Sequence, residues 1–571
     1  MQNIWFKKAL DYTDKFIKNG SLGKDPFAQV FEERKKSYSL FSKQLSDEEI
    51  SKLKPYIFNY ETLPNHTPVA TPNFIASQWK MAKQNVEMQS PGDNRVVLSQ
   101  IPDSGTEEVE SALECAIDFW KSLQWTKDTL AYRKHVIKNF SRMLHFFYED
   151  CIREIRVQIP KTKLEADKDF WEAKRAADHL EGSAERMLAG IVFPTMLEGH
   201  SYWKNPYLPA GASAIFTPMN FIYGIPVIHL VGAYLVGVPF IFKGHPFAAI
   251  TNTTLIKMFL ASGADPHTVQ KIEGFGKRIE SLVSDSRVAV VSVTGSDATA
   301  EHMQKLRGVK PVHFEGGGCN WSYVDEDFSE NDLKKIAIRL AYSKLGFSSH
   351  KCTTLHGIAA TSPVMAKLLP LLSKEMDEWK IANPTDLPES ETKIIGPCMV
   401  HKAKTAQDIQ EAAAKVGATI YKKGGRMTGA GYTDYAEVIS PIILSDVHPE
   451  MRVSVNWDGK GEKNIDLMTT EFFMPILVTS SLSFEDFLRF CLFTNPHDLA
   501  VSIWSRSDSK LRLARQVLGG MFKENDGTDS ALEWEAFGAS GIGTSGNMGV
   551  GDPEETFSIY SRQQKGRHIV F

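Results

Sequence analysis

The chain has 571 residues, with 65 basic and 69 acidic side chains for a net charge of −4, and is 42% apolar and 23% charged, the mix of an ordinary globular protein. So even a balance excludes an electrostatic nucleic-acid binder. Six cysteines, at positions 115, 151, 319, 352, 398 and 491 and never as CxxC, exclude a disulfide-dense scaffold and the common zinc frameworks, fit a reducing compartment and lead us to expect no metal site.

The length predicts about three domains or two large α/β ones. The first residues, MQNIWFKKALDYTDKFIKNG, are amphipathic but carry Asp11 and Asp14 and no arginine, unlike a secretory or transit peptide. Residues 1–74 read as a helical extension ending in NYETLPNHTPVATPNF, a meandering loop or edge strand. Periodicity sets in after Ser104, which with Glu107 forms a capping-box pattern ahead of Val109, Leu113 and Ala116. Helical patterns continue to about residue 190, one of them over LAYRKHVIKNFSRMLHFFYED. From residue 210, short apolar strands (ASAIFTP, PFIFKGH, VAVVSVTG, VKPVHFEGGG) alternate with helices, which predicts βαβ units and a largely parallel sheet. The longest apolar stretch, Pro226 to Phe242, contains His229 and two prolines. It falls short of the roughly 20 residues that cross a bilayer and reads as a buried helix followed by a strand. The protein therefore reads as cytoplasmic and soluble, with neither membrane nor nucleic acid as partner.

In a parallel sheet, chemistry gathers where strands end and helices begin. The strand Val288 to Val293 runs into Thr294-Gly295-Ser296 and a helix, whose unsatisfied first N–H groups suit a phosphate. An ordinary strand–turn–helix has the same look, and this one lacks the GxGxxG fingerprint. Glu315 closes the next strand ahead of Gly316, Gly317 and Gly318, where the backbone bends sharply or approaches a ligand. Its carboxylate is either solvent-facing or a buried general base of raised pKa. Further on, Cys352 lies in GFSSHKCTTLHG. A thiol attacks as the thiolate, which His350 and Lys351 beside it would favour; the alternative is an inert small hydrophobe.

Taken in order, FTPMNF, FIFKGHP, VTGS, FEGGG, SSHKCT, TEFFMP and AFGASGIGTSG make residues 75 to 571 resemble the aldehyde dehydrogenase superfamily. GGCNWSYV and the helical extension are most similar to its 1-pyrroline-5-carboxylate (glutamate semialdehyde) dehydrogenase branch. The resemblance implies an α/β fold of two Rossmann-type parallel-sheet domains plus a bridging oligomerisation hairpin. Residues 75–185 and 210–315 would bind NAD or NADP, 316–505 would form the catalytic domain, and 506–551 would close the active site as a substrate loop. Residues 186–209 and 552–571 would bridge protomers of a homodimer or larger homo-oligomer.

The resemblance also implies roles. Cys352 would attack an aldehyde to give a thiohemiacetal, whose hydride passes to nicotinamide to leave a thioester. Asn220, with the Cys352 N–H, would hold the developing oxyanion, a donor typically worth about 10² to 10³ in rate, and Glu315 would activate the hydrolytic water. Lys243 would hold the adenosine ribose, Gly295 and Ser296 the pyrophosphate, Glu471 the nicotinamide ribose, and Phe473 would lie beside the ring or simply pack in the core. Phe221, Thr353 and Ser530 are expected to line the substrate pocket, with Trp534 and Phe221 favouring an apolar or aromatic aldehyde and Glu533 and Glu535 repelling an anion if they face it.

Several positions depart from the family pattern. Ser349-His350 replaces Gly-Gln, and His350 is read as pointing to solvent. Pro246 stands where NAD-preferring members carry an acid, so NADP stays open; Ala300 and Met474 replace glycines. Residues 456 to 466 read as a polar insertion, a lid or interface loop. Three functions remain: release of a free acid from a semialdehyde such as glutamate semialdehyde or from another aldehyde, transfer of the acyl group to coenzyme A, and a catalytically weakened scaffold.

Overall fold

The computed structural model describes residues 4–33, 44–58, 68–127, 129–189, 191–194, 200–398, 402–428, 434–497, 499–532, 534–535, 537, 545–546 and 549–569. Two large sheets organise them. The first contains β1 Gly23–Lys24, β2 Asn73–Ile75, β3 Gln78–Lys80, β4 Ser213–Phe216, β5 Phe240–Lys243, β6 Val269–Lys271, β7 Val290–Thr294 and β8 Val312–Glu315. Their order across the sheet is β1-β3-β2-β6-β5-β4-β7-β8. The strands β4 to β8 run parallel, as short Val/Ile/Phe runs buried on both faces dictate; β1, β2 and β3 add on antiparallel.

The second sheet contains β9 Asn320–Val324, β10 Leu355–Ala360, β11 Thr419–Lys422, β12 Ile442–Ser445, β13 Ile476–Ser481, β14 Ala500–Trp504 and β15 Met521–Glu524. Its order is β11-β12-β13-β10-β9-β14-β15, parallel except at β11. A third, antiparallel sheet pairs Ile191–Pro194 with His200–Pro209, and the latter with the C-terminal Ser561–Ile569. Residues 195–199, the turn of the expected hairpin, lie outside the described residues.

Five helices position the site: α1 Ile4–Lys18, α2 Lys163–Leu188, α3 Gly224–Val236, α4 Asp297–Arg307 and α5 Glu330–Leu345. The apolar stretch from Pro226 is the buried α3, ended by Gly237 at φ 95°, a left-handed stop that glycine adopts without strain, and it leads into β5. Among the described residues no helix is long and apolar enough to cross a membrane.

Local expectations fail where a neighbour in space overrides the sequence pattern. The helix expected from Ser104 starts at Thr106, with Glu108 Oε2 accepting from Gly105 N at 2.8 Å; Ser104 is taken by Asn73, whose Nδ2 donates to its hydroxyl at 2.8 Å. The helix read over residues 130–150 breaks at Phe147 into Leu130–Phe146 and Tyr148–Gln158. The loop or edge strand read at 59–74 provides β2, which lies inside the sheet between β3 and β6; residues 59–67 are outside the described ones. The insertion at 456–466 is the turn and second strand of a hairpin, Arg452–Asn456 against Glu462–Asp466.

The N-terminal extension is stitched into the first sheet through one carboxylate. Asp25 Oδ2 accepts from Tyr56 OH and Trp79 Nε1, both at 2.7 Å, and its Oδ1 from the N–H groups of Phe27 and Ala28. The buried Lys257 ammonium lies 5.4 Å from the Tyr56 ring and 6.0 Å from that of Trp79. Asp25→Ala strands several buried donors at once, so urea unfolding is expected to show a loss of about 3 kcal/mol; a loss within about 0.5 kcal/mol, the range of an ordinary surface change, would mean that the extension is not anchored there.

Candidate active site

The C-terminal ends of β5, β4, β7 and β8, adjacent in the sheet, bring Lys243, Thr217-Pro218-Met219-Asn220, Gly295-Ser296 and Glu315 to one edge, where ligands of open parallel sheets bind. Helix α4 starts there with Ser296 as N-cap and no side-chain cap bond, so its first N–H groups remain for an anion. Lys243 has no hydrogen-bond partner for Nζ among the described residues, and burial lowers its pKa to about 8 against the pull of Glu273. The Thr217 hydroxyl is buried without a partner among the described residues. An uncapped helix start, a lone lysine and an orphaned hydroxyl on one rim fit a dinucleotide.

The glycine run joins this rim to the second sheet. A Cβ on Gly317 would meet Glu471 Oε2 at 1.9 Å, and one on Gly318 would meet the Cys352 carbonyl oxygen at 2.7 Å. Only glycine lets the backbone pass between Glu471 and the Cys352 segment. The Gly318 N–H donates to Glu471 Oε1 at 3.3 Å, while Gly316 N donates to Ser545 O at 2.7 Å, which pins Glu315 to the end of the AFGASGIGTSG motif. Residues 538–544 of that motif lie outside the described residues. The next organiser, Asn320, has no role that the sequence reading assigns: its Nδ2 donates to the carbonyls of Cys352 and Thr354, both at 2.8 Å, and its Oδ1 accepts from Ala500 N.

Ahead of Cys352 the backbone is left-handed at three successive residues, Phe347, Ser348 and Ser349, with φ of 55°, 52° and 64°. Each costs about 1 kcal/mol outside glycine, and each is held by its own bond. Phe347 N donates to Glu165 on α2, Ser348 Oγ accepts from Gly396 N at 2.8 Å, and Ser349 Oγ donates to Lys344 O at 2.7 Å. The Ser349 departure thus sits where glycine is cheapest, and the serine hydroxyl offsets the strain. Phe473 is also left-handed, at φ 54°.

The Asn220 loop is fixed from α2. Asp169, wholly buried, accepts from the N–H groups of Ile222, Tyr223 and Gly224 and from Lys161 Nζ at 3.0 Å, which caps α3 where Tyr223 offers no side-chain cap. Asp169→Ala leaves a buried ammonium and three N–H groups unpaired. We expect it to cost about 3–5 kcal/mol in denaturant unfolding and to lower turnover, whereas wild-type stability would contradict the assigned support. Phe221 stacks on Phe347 with centroids 5.1 Å apart, which sets the Asn220 loop against the Cys352 loop.

Electrostatics corrects one expectation about the thiol. Burial and the Glu315, Glu471 and Glu172 carboxylates push Cys352 up; Lys351 pulls the other way and is outweighed. His350 contributes no charge: it is 7% exposed rather than solvent-facing, its ring lies 5.4 Å from that of Phe473, and burial with the Lys402 and Lys161 charges lowers its pKa to about 3. Glu315 is fully buried, and burial raises it to about 8 against the Thr294 hydrogen bond. Thr294 Oγ1 donates to its Oε2 at 3.1 Å, while its Oε1 has no partner among the described residues. Burial likewise raises Glu471 to about 8. The carboxyl at the end of β8 is therefore buried with a raised pKa, not solvent-facing.

Of the residues expected to line the substrate pocket, Thr353 is wholly buried with its hydroxyl unpartnered among the described residues, and Ser530 Oγ donates to Gly527 O at 2.9 Å. Lys351 Nζ donates to Asp529 O at 2.6 Å. It stands 5.6 Å from the Phe221 ring, which Lys161 approaches at 4.6 Å, and Lys168 stands 5.9 Å from that of Phe347. Glu535 is taken by Lys523, so its charge is already matched and does not repel an anion; Glu533 is outside the described residues. Trp534 is 45% exposed beside His179. No cluster of metal ligands occurs among the described residues.

The aldehyde dehydrogenase family profile matches residues 79–565, and the chain belongs to that family. Its activity is the oxidation of an aldehyde with a nicotinamide dinucleotide. Malonate-semialdehyde dehydrogenase 2 of Oceanobacillus iheyensis is 24% identical over 81% of this chain and 91% of its own length. An acylating methylmalonate-semialdehyde/malonate-semialdehyde dehydrogenase of Rattus norvegicus is 24% identical over 66% of this chain and 69% of its own. The structure of a mutant of Thermus thermophilus 1-pyrroline-5-carboxylate dehydrogenase superposes with a TM-score of 0.77 at 19% identity, covering 92% of this chain and 97% of that one.

Proposed function

We propose that the chain oxidises a carboxylated aldehyde to the free acid through a thioester on Cys352. The carrying observation is that a buried Glu315, whose Oε1 has no partner among the described residues, lies close enough to Cys352 for its charge to act on the thiol, with Gly318 packed against the Cys352 carbonyl. Glu315 would take the thiol proton or that of the attacking water; both demand a carboxyl held near neutral pKa. Asn220, whose side-chain amide has no hydrogen-bond partner among the described residues, and the Cys352 N–H receive the oxyanion. Lys243, Ser296 and the start of α4 would hold the dinucleotide, with Gly295 giving its phosphates room, Glu471 on the nicotinamide ribose and Phe473 beside the ring. When bound, the nicotinamide accepts the hydride released from the thiohemiacetal.

A carboxylate on the substrate is supported by Lys351 and Lys168 around the Phe221–Phe347 stack and by the semialdehydes named for relatives; Thr353, two residues from Lys351, and Ser530, next to Asp529, would be its polar partners. An acylating role is favoured by the names of three relatives, but a retained buried base opposes it, since it would activate water against the thioester. Assembly as a homodimer or larger oligomer through the Ile191–Pro194, His200–Pro209 and Ser561–Ile569 sheet, and residence in the cytoplasm, belong to the same reading. A panel of short, aromatic and carboxylated aldehydes with NAD or NADP, read at the reduced-nicotinamide absorbance, tests it. The greatest kcat/KM with a carboxylated member is expected; a preference for aromatic aldehydes, or a rate that requires coenzyme A, would overturn it.

A further inference from the structure

Helix α3 buries a polar side chain that the reaction as described does not use. All thirteen residues of α3 are buried and nearly all are apolar, yet His229 sits in its middle with 0% exposure. One turn on, Gly232 has no Cβ, and one added there would meet the Thr556 methyl at 2.6 Å and the Tyr560 ring at 3.7 Å. This close approach lets the C-terminal helix Pro553–Ile559 lie against α3 and sets Tyr560 over the imidazole. His229 Nδ1 is 2.7 Å from Tyr560 OH, and Nε2 is 3.3 Å from Thr294 Oγ1. Tyr560 OH is in turn 3.0 Å from Ser292 Oγ. Thr294 donates to Glu315 Oε2 at 3.1 Å.

With Glu315 ionised, one assignment of protons satisfies every contact. The Thr294 hydrogen is committed to Glu315, so Thr294 oxygen accepts from His229 Nε2–H. A neutral imidazole then offers Nδ1 as acceptor to Tyr560 O–H, whose oxygen accepts from Ser292. All donors point toward the carboxylate. Burial holds His229 at a pKa of about 3, so the ring stays neutral across the working range. The two Glu315 oxygens are thereby made unequal: Oε2 is tethered, and Oε1 has no partner among the described residues.

We propose that His229 and Tyr560 are positioning residues for the general base: the Ser292–Tyr560–His229–Thr294 donor chain holds Glu315 by Oε2 and keeps Oε1 as the oxygen that receives the proton. The inference rests on the reading of Glu315 as that base, but not on turnover for its test. The titratable groups that face Glu315 among the described residues are Cys352 and Glu172; the chain itself carries no net charge, so it acts through hydrogen bonding alone. Loss of a link weakens donation to the carboxylate and raises the pH at which it ionises.

The experiment is an infrared titration of the protonated Glu315 carboxyl band, identified by its absence from Glu315→Gln, in the full-length protein without substrate. A donor lost next to a carboxylate is expected to move the midpoint up by about one pH unit in His229→Leu, and the more distant loss in Tyr560→Phe by roughly half that. His229→Gln keeps an N–H in reach of Thr294 and is expected to hold the midpoint near that of the wild type. Equal midpoints in wild type, His229→Leu and Tyr560→Phe, with only the melting temperature lowered, would overturn the proposal and leave the pair as packing. If instead the midpoints shift as expected while Cys352 never carries an acyl group, the chain stands and the catalytic reading of Glu315 fails.

Discussion

Replacing Cys352 with serine is expected to lower aldehyde turnover by about 10⁴-fold or more and to leave dinucleotide affinity within about twofold. Even a tenfold change in affinity would require about 1.4 kcal/mol from a one-atom substitution away from the dinucleotide rim. The reasons are separable in space. Cys352 lies on the loop before β10, held through its carbonyl by Asn320, whereas Lys243, Ser296 and the start of α4 belong to the first sheet. Serine keeps the volume and the backbone bonds but cannot supply a soft nucleophile from a hydroxyl of far higher pKa. The thiol itself starts out protonated, because burial and three carboxylates raise it. Alkylation of free Cys352 by iodoacetamide should therefore be slow at neutral pH and faster as the pH rises. Equilibrium dinucleotide binding and steady-state rates check the pair of claims together; loss of binding in Cys352→Ser would make the residue structural.

Glu315→Gln is expected to preserve a first-turnover burst of reduced nicotinamide above pH 8 and to reduce the steady-state rate by about 10² to 10⁴-fold, because the amide cannot take a proton from water. The pH dependence follows from burial. The carboxyl titrates near 8 rather than 4.5, so it is an active base only as the pH rises through that value; steady-state turnover should climb from pH 7 to 9 in the wild type and lose that acid limb in Glu315→Gln. A burst and steady state reduced in equal proportion at high pH would assign Glu315 to an earlier step than thioester hydrolysis. A steady state unchanged by the substitution would remove it from the reaction.

The parts of the site legible in the sequence are those set by local backbone chemistry. Strands that end in Lys243, Thr294 and Glu315 announce themselves as short apolar runs before a glycine, and the order of seven such motifs carries the family. What the sequence hides is support from afar. Asp169, on α2, holds the Asn220 loop from 53 residues away in sequence; Asn320 holds Cys352 across 32 residues; Tyr560 reaches His229 across 331. A polar residue in an apolar run, such as His229 or Asn320, is the only local hint of these contacts, and its partner cannot be read from spacing. The strands Asn85–Ser90 and Asp93–Pro102 are equally hidden, because most residues of the first are exposed and show no alternation. His350 misleads for a related reason: next to Lys351 it looks solvent-facing, but the left-handed turn at 347–349 carries it inward against Phe473.

The most direct measurement of the central claim is mass spectrometry of acid-quenched Glu315→Gln after one turnover with a carboxylated aldehyde and NAD or NADP. The substrate's acyl group is expected as a thioester on the peptide that contains Cys352, and on none of the other five cysteines. An unmodified Cys352 in a sample that has formed reduced nicotinamide, or an acyl group on another residue, would contradict it.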